Sequence, residues 1–142
     1  MNSKLLVAIQ FLLVGLILFP KETKPFCSFW WIFILISGMV AIWTFMHNRL
    51  GNFNIVPDIK EDAKLITTGP YRYIRHPMYS SLFFWMLGVV CYLSHWLNWL
   101  FLMLLVVVLY LKASKEERLW SAHHEGYSAY RKKSKYFIPF IL

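Results

Sequence analysis

The stretch RHPMYSSLFFWMLGVVCYLSHWLNWLFLMLLVVVLYLK, residues 75–112, decides the fold because it is long, strongly apolar and basic at both ends. Its interior contains no Asp, Glu, Lys or Arg, and the polar pair Ser94-His95 lies at its middle. Two polar residues are enough for a tight turn but not for a longer connection. The stretch therefore predicts an antiparallel hairpin of two helices, over residues 77–94 and 96–112.

The whole chain has the composition of a membrane protein. Of its 142 residues, 58% are hydrophobic and 15% are charged, whereas about a quarter are charged in a soluble domain. Charge-free stretches also cover Leu5–Phe19 and Pro25–Met46, and the second is long enough to cross an apolar bilayer core of about 30 Å. We therefore predict an all-α membrane protein, one domain over residues 1–142, with about four transmembrane helices near 5–20, 26–46, 77–94 and 96–112.

The first of these spans has a second interpretation. Leu5–Phe19 follows Lys4 and could be the apolar core of a signal peptide. Pro20-Lys21-Glu22 is a poor cleavage site, however, and the next apolar stretch follows at once. We therefore favour a retained helix.

The basic residues predict the orientation in the membrane. Only two of the fifteen Lys and Arg residues, Lys21 and Lys24, lie between the first two spans. The other thirteen lie near the N-terminus, in residues 47–76 and in the tail from Lys112. By the positive-inside rule both termini and the segments 47–76 and 113–142 are cytosolic, in a bacterial-type inner membrane or an endomembrane. The charge of +8 then faces anionic headgroups rather than nucleic acid.

The approach to the third helix is chemically distinctive. Proline is favoured at the first helical position and forces the preceding residue out of helix geometry, so the helix should begin at Pro77. Arg75 and His76 then precede an N-terminus that carries unpaired N–H groups, and Tyr79 offers a hydroxyl in the first turn. These groups favour an anion, although Arg and Tyr are also common membrane anchors.

An acidic turn should lie opposite this approach. The fourth helix has no breaker before Gly126, so it should continue beyond the membrane through Glu116 and Glu117. Counting back from the hairpin turn puts Glu116 near the depth of Arg75, and the pair would suit a zwitterion. Glu117 points about 100° away and should matter less. After Gly126, YSAYRKK predicts a short helix.

A metal site is disfavoured. Adjacent side chains on a helix diverge by about 100°, so His123 and His124 would rarely share one ion. Cys27 and Cys91 form no CxxC motif and are expected to be apolar fillers.

Three motifs carry a resemblance to a known family. GPYRYIRHPMY at residues 69–79, the downstream ExxL and the tail YxxYRKK…P resemble the isoprenylcysteine carboxyl methyltransferase and phospholipid methyltransferase superfamily. The resemblance covers roughly Leu50 to Pro139. It implies a small helical membrane bundle whose cytosolic C-terminal segment binds S-adenosylmethionine and which methylates lipid-like or small acceptors. His123-His124 departs from the Phe-Gly of many members.

The resemblance also implies roles for individual residues. Arg75 and Glu116 become catalytic candidates, and Lys112 stands where some relatives use an arginine as a substrate anchor. The cofactor-binding candidates come from the approach to the third helix and its first turn, the ExxL motif and the tail: His76, Pro77, Tyr79, Glu116, Leu119, Tyr127 and Tyr130.

The acceptor and the oligomeric state stay open. A prenylcysteine-like carboxylate is favoured, and a phospholipid amine or a small thiol is the alternative; an amine would need Glu116 or His76 as a base. A small multidrug-type transporter is disfavoured because the charge-free runs of the predicted spans carry no Asp, Glu, Lys or Arg for coupling. A nicotinamide-dependent reductase lacks a dinucleotide fingerprint here, and a non-catalytic membrane scaffold is the remaining alternative.

Overall fold

The computed structural model describes residues 2–19, 28–48, 56–58 and 64–137. Within these ranges the regular secondary structure is helical, apart from a single parallel bridge between Ile74 and Lys135. A short 3-10 helix, Gly69–Arg72, precedes the third of five α-helices. The α-helices are α1 (Ser3–Leu18), α2 (Trp30–His47), α3 (Pro77–Leu93), α4 (Trp96–His123) and α5 (Tyr127–Lys133).

The predicted hairpin is confirmed by α3, α4 and the turn between them. α3 begins at Pro77, as the proline predicted. Ser94 adopts a left-handed conformation with φ 46°, which reverses the chain. The Nδ1 of His95 then caps α4 by accepting a hydrogen bond from the backbone N–H of Leu97 at 3.3 Å. α4 continues to His123, so its last three turns extend beyond the charge-free run.

The core lies between α1, α3 and α4. α1 packs mainly along α4, and α3 closes the core from the other side. Nine buried apolar side chains form it: Leu6, Leu13, Ile17, Met86, Val90, Leu102, Leu105, Val108 and Leu109.

α2 lies outside this core and packs chiefly on α3. The Ser37 hydroxyl donates to the backbone carbonyl of Ser81 at 2.8 Å. A Cβ on Gly88 would lie 2.7 Å from the Cδ1 of Ile34, so glycine allows the close approach of the two helices. α2 packs on one side, against α3 and the 3-10 helix, and exposes a broad apolar surface that includes Met39, Ile42 and Met46.

Two helices, α2 and α4, are long and apolar enough to cross a membrane. α1 and α3 are apolar but have only 16 and 17 residues, or about 24–26 Å at 1.5 Å per residue. The helical fold is therefore confirmed, with two candidate spans. Membrane crossing by α1 and α3 stays a prediction.

The N-terminus and the functional segments meet at one end of the bundle. The Ser3 hydroxyl donates to Asp58 at 2.7 Å, and the Nζ of Lys115 lies 3.3 Å from the same carboxylate. This grouping agrees with the predicted topology, whereas the side of the membrane stays a prediction. Several residues used in the sequence argument lie outside the described ranges: Lys21, Lys24, Cys27, Arg49, Leu50, Lys60 and Pro139.

Candidate functional site

A cleft opens at this end of the bundle, between the start of α3, the charged part of α4 and α5. Residues 64–66 and the end of α2 complete its walls. Seven of the nine residues singled out from the sequence line it: Arg75, His76, Pro77, Tyr79, Glu116, Tyr127 and Tyr130.

His76 lies at the back of the cleft between two glutamates. Its Nδ1 is 3.4 Å from the Oε2 of Glu116, and its Nε2 is 3.4 Å from the Oε1 of Glu117. The residue is only 7% exposed. Burial by itself would lower the pKa of His76, but hydrogen bonds and charge interactions with Glu116 and Glu117 outweigh it and raise the pKa above its ordinary value. The two glutamates therefore make the imidazole easier to protonate than that of a free histidine.

Glu116 is the acid on the cleft side. Its carboxylate accepts a hydrogen bond from the hydroxyl of Tyr79. The Tyr79 ring stacks on the His76 imidazole, with centroids 5.6 Å apart and planes 12° apart. Glu116 keeps 21% of its side chain exposed, so it combines a fixed position with access from the cleft.

Glu117 occupies the opposite, buried side of His76. Arg75 donates through Nε to its Oε1 at 2.5 Å, and the Nε of Arg131 lies 3.3 Å from its Oε2. The sequence placed Glu116 near the depth of Arg75 and did not indicate that the ion-pair partner of Arg75 is Glu117. The smaller role expected of Glu117 in cofactor binding stays a prediction. The 100° rotation between successive helical residues puts one carboxylate on each side of the imidazole rather than sending the second into solvent.

The chain after α5 holds Arg75 in place. The backbone N–H of Arg75 donates to the carbonyl of Lys135 at 2.8 Å, and that of Lys135 donates to Tyr73 at 2.8 Å. The Arg75 guanidinium also donates to the carbonyl of Ser134. Residues 134–137 thus run beside residues 73–76, a pairing that the sequence did not indicate.

Aromatic side chains form the wall of the cleft beside α5. Tyr127 stacks on Trp120 with centroids 6.3 Å apart and planes 15° apart. The Tyr130 hydroxyl donates to the carbonyl of Tyr71 at 2.7 Å. Burial raises the pKa of Tyr130 to about 12, so its hydroxyl remains protonated at neutral pH. Trp120 is one turn beyond Glu116, a helical spacing that could have identified it from sequence.

Asn48, at the end of α2, is a lining residue that sequence reasoning missed. Its Nδ2 donates to the hydroxyl of Tyr71 at 3.0 Å. Its Oδ1 is buried and meets no hydrogen-bond donor among the described residues. Such an orphaned acceptor is unusual in a folded protein and requires an explanation. No motif surrounds Asn48 in the sequence, because its place in the cleft depends on how α2 packs.

Two of the residues expected at the site lie elsewhere. The Nζ of Lys112 is buried behind Tyr79, 5.2 Å from the centroid of its ring, and donates to Gln10 of α1 at 2.5 Å. Leu119 lines a separate hollow against α1, together with Leu6. Their roles as substrate anchor and cofactor contact stay predictions, and neither lines the cleft.

The described residues contain no group of three or more His, Cys, Asp or Glu side chains placed to hold a metal ion. The Nδ1 of His123 contacts the carbonyl of Leu119 at 2.8 Å. The Nδ1 of His124 accepts a hydrogen bond from the backbone N–H of Gly126 at 3.2 Å. Both histidines therefore have local backbone partners.

Comparison with known proteins gives two matches. The family described as phospholipid methyltransferase matches residues 27–125. The protein-S-isoprenylcysteine O-methyltransferase of Schizosaccharomyces pombe (strain 972 / ATCC 24843) is 34% identical over 83 residues, which cover 57% of this chain and 35% of that protein. The chain thus matches about a third of the length of this curated relative. The family match includes α2, α3, α4 and the part of the cleft around His76, and it stops just before α5, which contributes Tyr127 and Tyr130 to the cleft.

Proposed function

Because the chain belongs to the phospholipid methyltransferase family, we propose that it is a membrane methyltransferase that takes its methyl group from S-adenosylmethionine. The observation that carries this proposal is the His76 cleft. It combines the Oδ1 of Asn48, which meets no donor among the described residues, with an accessible carboxylate on Glu116 and an aromatic wall. The acceptor would suit the amino group of a nucleoside, the carboxylate its ribose hydroxyls and the aromatic wall its purine ring.

The residues present fit the cofactor part by part. The Oδ1 of Asn48 can accept from the adenine amino group, and the Trp120–Tyr127 pair offers aromatic surface to the purine. Glu116 can accept from the ribose hydroxyls or the α-amino group. The guanidinium of Arg75, and the imidazole of His76 when it is protonated, favour the α-carboxylate. The acidic and the basic groups of the cleft would thus bind different parts of the cofactor.

S-adenosylmethionine, when bound, supplies a methyl group on a positively charged sulfur. The chain's own contribution is to align this group with an acceptor and to limit the access of water. Pro77, Met78 and Ile66 provide apolar surface in the cleft for this purpose. A carboxylate or thiolate acceptor needs no base. An amine acceptor must lose a proton, and Glu116 can accept it from the cleft side, with His76 as the alternative base.

The acceptor we propose is lipophilic and carries a carboxylate like that of a prenylated cysteine. An apolar groove between α3 and α4 begins at Tyr79, which also lines the cleft. Phe83, Phe84, Val106 and Leu109 line this groove, and its surface is entirely apolar. An acyl or prenyl chain lying there would direct its reactive end towards Tyr79. A phospholipid amine and a small thiol are the alternative acceptors.

The cofactor assignment is tested by calorimetry with S-adenosylhomocysteine on the detergent-solubilised chain. Asn48→Leu, which removes the acceptor, should weaken binding by about fivefold, since one hydrogen bond contributes about 1 kcal/mol. Asn48→Asp keeps an acceptor oxygen and is the matched variant, which should bind more tightly than Asn48→Leu. Wild-type affinity in Asn48→Leu would contradict the role given to Asn48.

The reaction itself is tested with labelled S-adenosylmethionine and three acceptors: a prenylated cysteine, phosphatidylethanolamine and a small thiol. We expect label in the prenylated cysteine as a base-labile methyl ester. Binding of a reduced nicotinamide dinucleotide instead of S-adenosylhomocysteine would favour the reductase alternative. Binding of neither compound would favour a non-catalytic scaffold.

A further inference from the structure

A second polar groove lies on the other side of α4 from the His76 cleft. It has a volume of about 600 Å³, within the range of about 300–1,000 Å³ found for ligand pockets. One wall is a face of α4, and the other is formed by α5 and the chain after it. Hydroxyl and guanidinium groups dominate its lining: Tyr110, Ser114, Arg118, Ser121, Arg131 and Tyr136. We refer to it as the Arg118–Arg131 groove.

The charge of this groove favours an anion. Its one lining acid is Glu117, whose carboxylate already pairs with the buried Arg75 at 2.5 Å. Arg131 reaches the same carboxylate through Nε at 3.3 Å. Arg118 is exposed, and its side chain forms no hydrogen bond or ion pair with the residues that the structure describes. The guanidinium groups of Arg118 and Arg131 thus face the groove, and the charge of Glu117 is neutralised by its ion pair with the buried Arg75.

The position of the groove along α4 indicates an amphipathic ligand. Tyr110 lies at the edge of the groove nearest the apolar part of α4, since the charge-free run of this helix ends one residue later. On the same side of α4, Met103, Val107 and Tyr110 expose 65%, 52% and 55% of their surfaces. A ligand with an anionic group at the arginines could therefore lay apolar chains along α4. Arginine is well suited to phosphate, because its planar fork can donate two parallel hydrogen bonds.

We propose that the Arg118–Arg131 groove binds a phosphate group supplied by the headgroup of an anionic phospholipid. This site is separate from the proposed methyl-transfer cleft and does not depend on that activity. Arg131 connects the two regions, since it pairs with Glu117, which in turn holds Arg75 and contacts His76. An occupied groove would join α4 to α5 and stabilise the wall that carries Tyr127 and Tyr130.

The test measures thermal unfolding of the full chain in neutral detergent micelles. Increasing mole fractions of dioleoylphosphatidylglycerol are added in one arm, dioleoylphosphatidylcholine in a second and inorganic phosphate in a third. Ligand that binds the folded state raises the unfolding temperature by mass action. We expect the anionic lipid to raise it, and Arg118→Gln to require about tenfold more lipid for the same shift. Arg131→Gln should behave similarly.

Lys132→Gln is the matched control, because Lys132 is exposed on α5 and does not line the groove. It should keep the wild-type response to the anionic lipid. An equal loss in Lys132→Gln would overturn the proposal, since general surface charge would explain the response. An equal shift with phosphatidylcholine would also overturn it. An equal, Arg118-dependent shift with inorganic phosphate would support the phosphate site and overturn its assignment to a lipid.

Discussion

At position 76, one imidazole contacts two carboxylates that are adjacent in sequence. This arrangement divides the acidic turn into two roles, because Glu116 opens to the cleft while Glu117 is 4% exposed and holds Arg75. Neighbouring glutamates on a helix usually belong to a solvent-exposed face. Here the different exposure of Glu116 and Glu117 gives the two substitutions different expected consequences.

We predict that Glu116→Gln and Glu117→Gln have separable effects. Glu116→Gln should weaken S-adenosylhomocysteine binding by about 10- to 100-fold, through loss of a charged partner worth about 1.5–3 kcal/mol. Glu117→Gln should instead destabilise the protein by about 3 kcal/mol, because it leaves the Arg75 charge buried without its partner. Calorimetry and unfolding in detergent measure the two effects. Similar small effects of both substitutions would mean that the turn is only a solvated face.

The pH dependence of stability provides a second prediction at this scale. The folded-state pKa of His76 is raised above that of the unfolded chain, which is about 6.5. Its stabilising contribution is therefore complete below that pH and is lost as the pH rises through the raised folded-state pKa. The difference in unfolding temperature between wild type and His76→Gln should shrink from pH 6 to pH 9. A difference that is constant or grows with pH would contradict the protonated imidazole.

At the scale of elements, the chain after α5 is joined to the start of α3. The Ser80 hydroxyl, in the first turn of α3, donates to the carbonyl of Phe137 at 2.6 Å. The backbone bonds between residues 73–76 and 134–137 continue this contact. This attachment of the chain after α5 adds to the contacts that α5 itself makes at the cleft through Tyr127 and Tyr130.

We predict that Ser80→Ala loosens this attachment. The loss of one buried hydrogen bond should cost about 1 kcal/mol and increase hydrogen exchange at the amide of Lys135, which donates to Tyr73. Ser81→Ala is the matched control, since the Ser81 hydroxyl lies 3.1 Å from that of Ser37 and connects α3 to α2. The control should lower stability while leaving exchange at Lys135 unchanged. Equal exchange in both variants would contradict the role of Ser80.

At the scale of the whole molecule, α2 and α4 are long enough to span a membrane, and α1 and α3 are shorter. Short apolar helices require local thinning of the bilayer or flanking residues that extend the span. α1 contributes Leu6, Leu13 and Ile17 to the core, so the bundle depends on it for packing. All four helices would then cross together as one unit.

We predict that both termini lie in the cytosol, because thirteen of the fifteen basic residues belong to the segments on that side. The contact between Ser3 and Asp58, and that between Asp58 and Lys115, place these segments at a common end. Reporter fusions after Leu142 and within residues 20–27 should give opposite locations. A C-terminus outside the cytosol would reverse the assigned face of the cleft.

The sequence by itself determined the features that depend on neighbouring residues. Proline geometry located the start of α3, the polar pair Ser94-His95 located the hairpin turn, and charge-free runs located the apolar helices. It also predicted that the approach to α3 and the acidic turn of α4 lie close together, because equal numbers of residues on either side of a tight turn reach the same depth. These inferences follow from backbone sterics, helical rise and hydrophobicity, which act over short distances along the chain.

Only the tertiary structure decided which side chains meet across the chain. Arg75 pairs with Glu117 rather than Glu116, at a separation of 42 residues. Asn48 reaches the cleft because α2 packs on α3, and Lys112 lies behind Tyr79 because Gln10 of α1 accepts its hydrogen bond. Such contacts depend on the rotation and close packing of whole helices. Rotating α4 by 100° about its axis would put one glutamate in the place of the next. No local pattern in the sequence specifies the rotation of a whole helix.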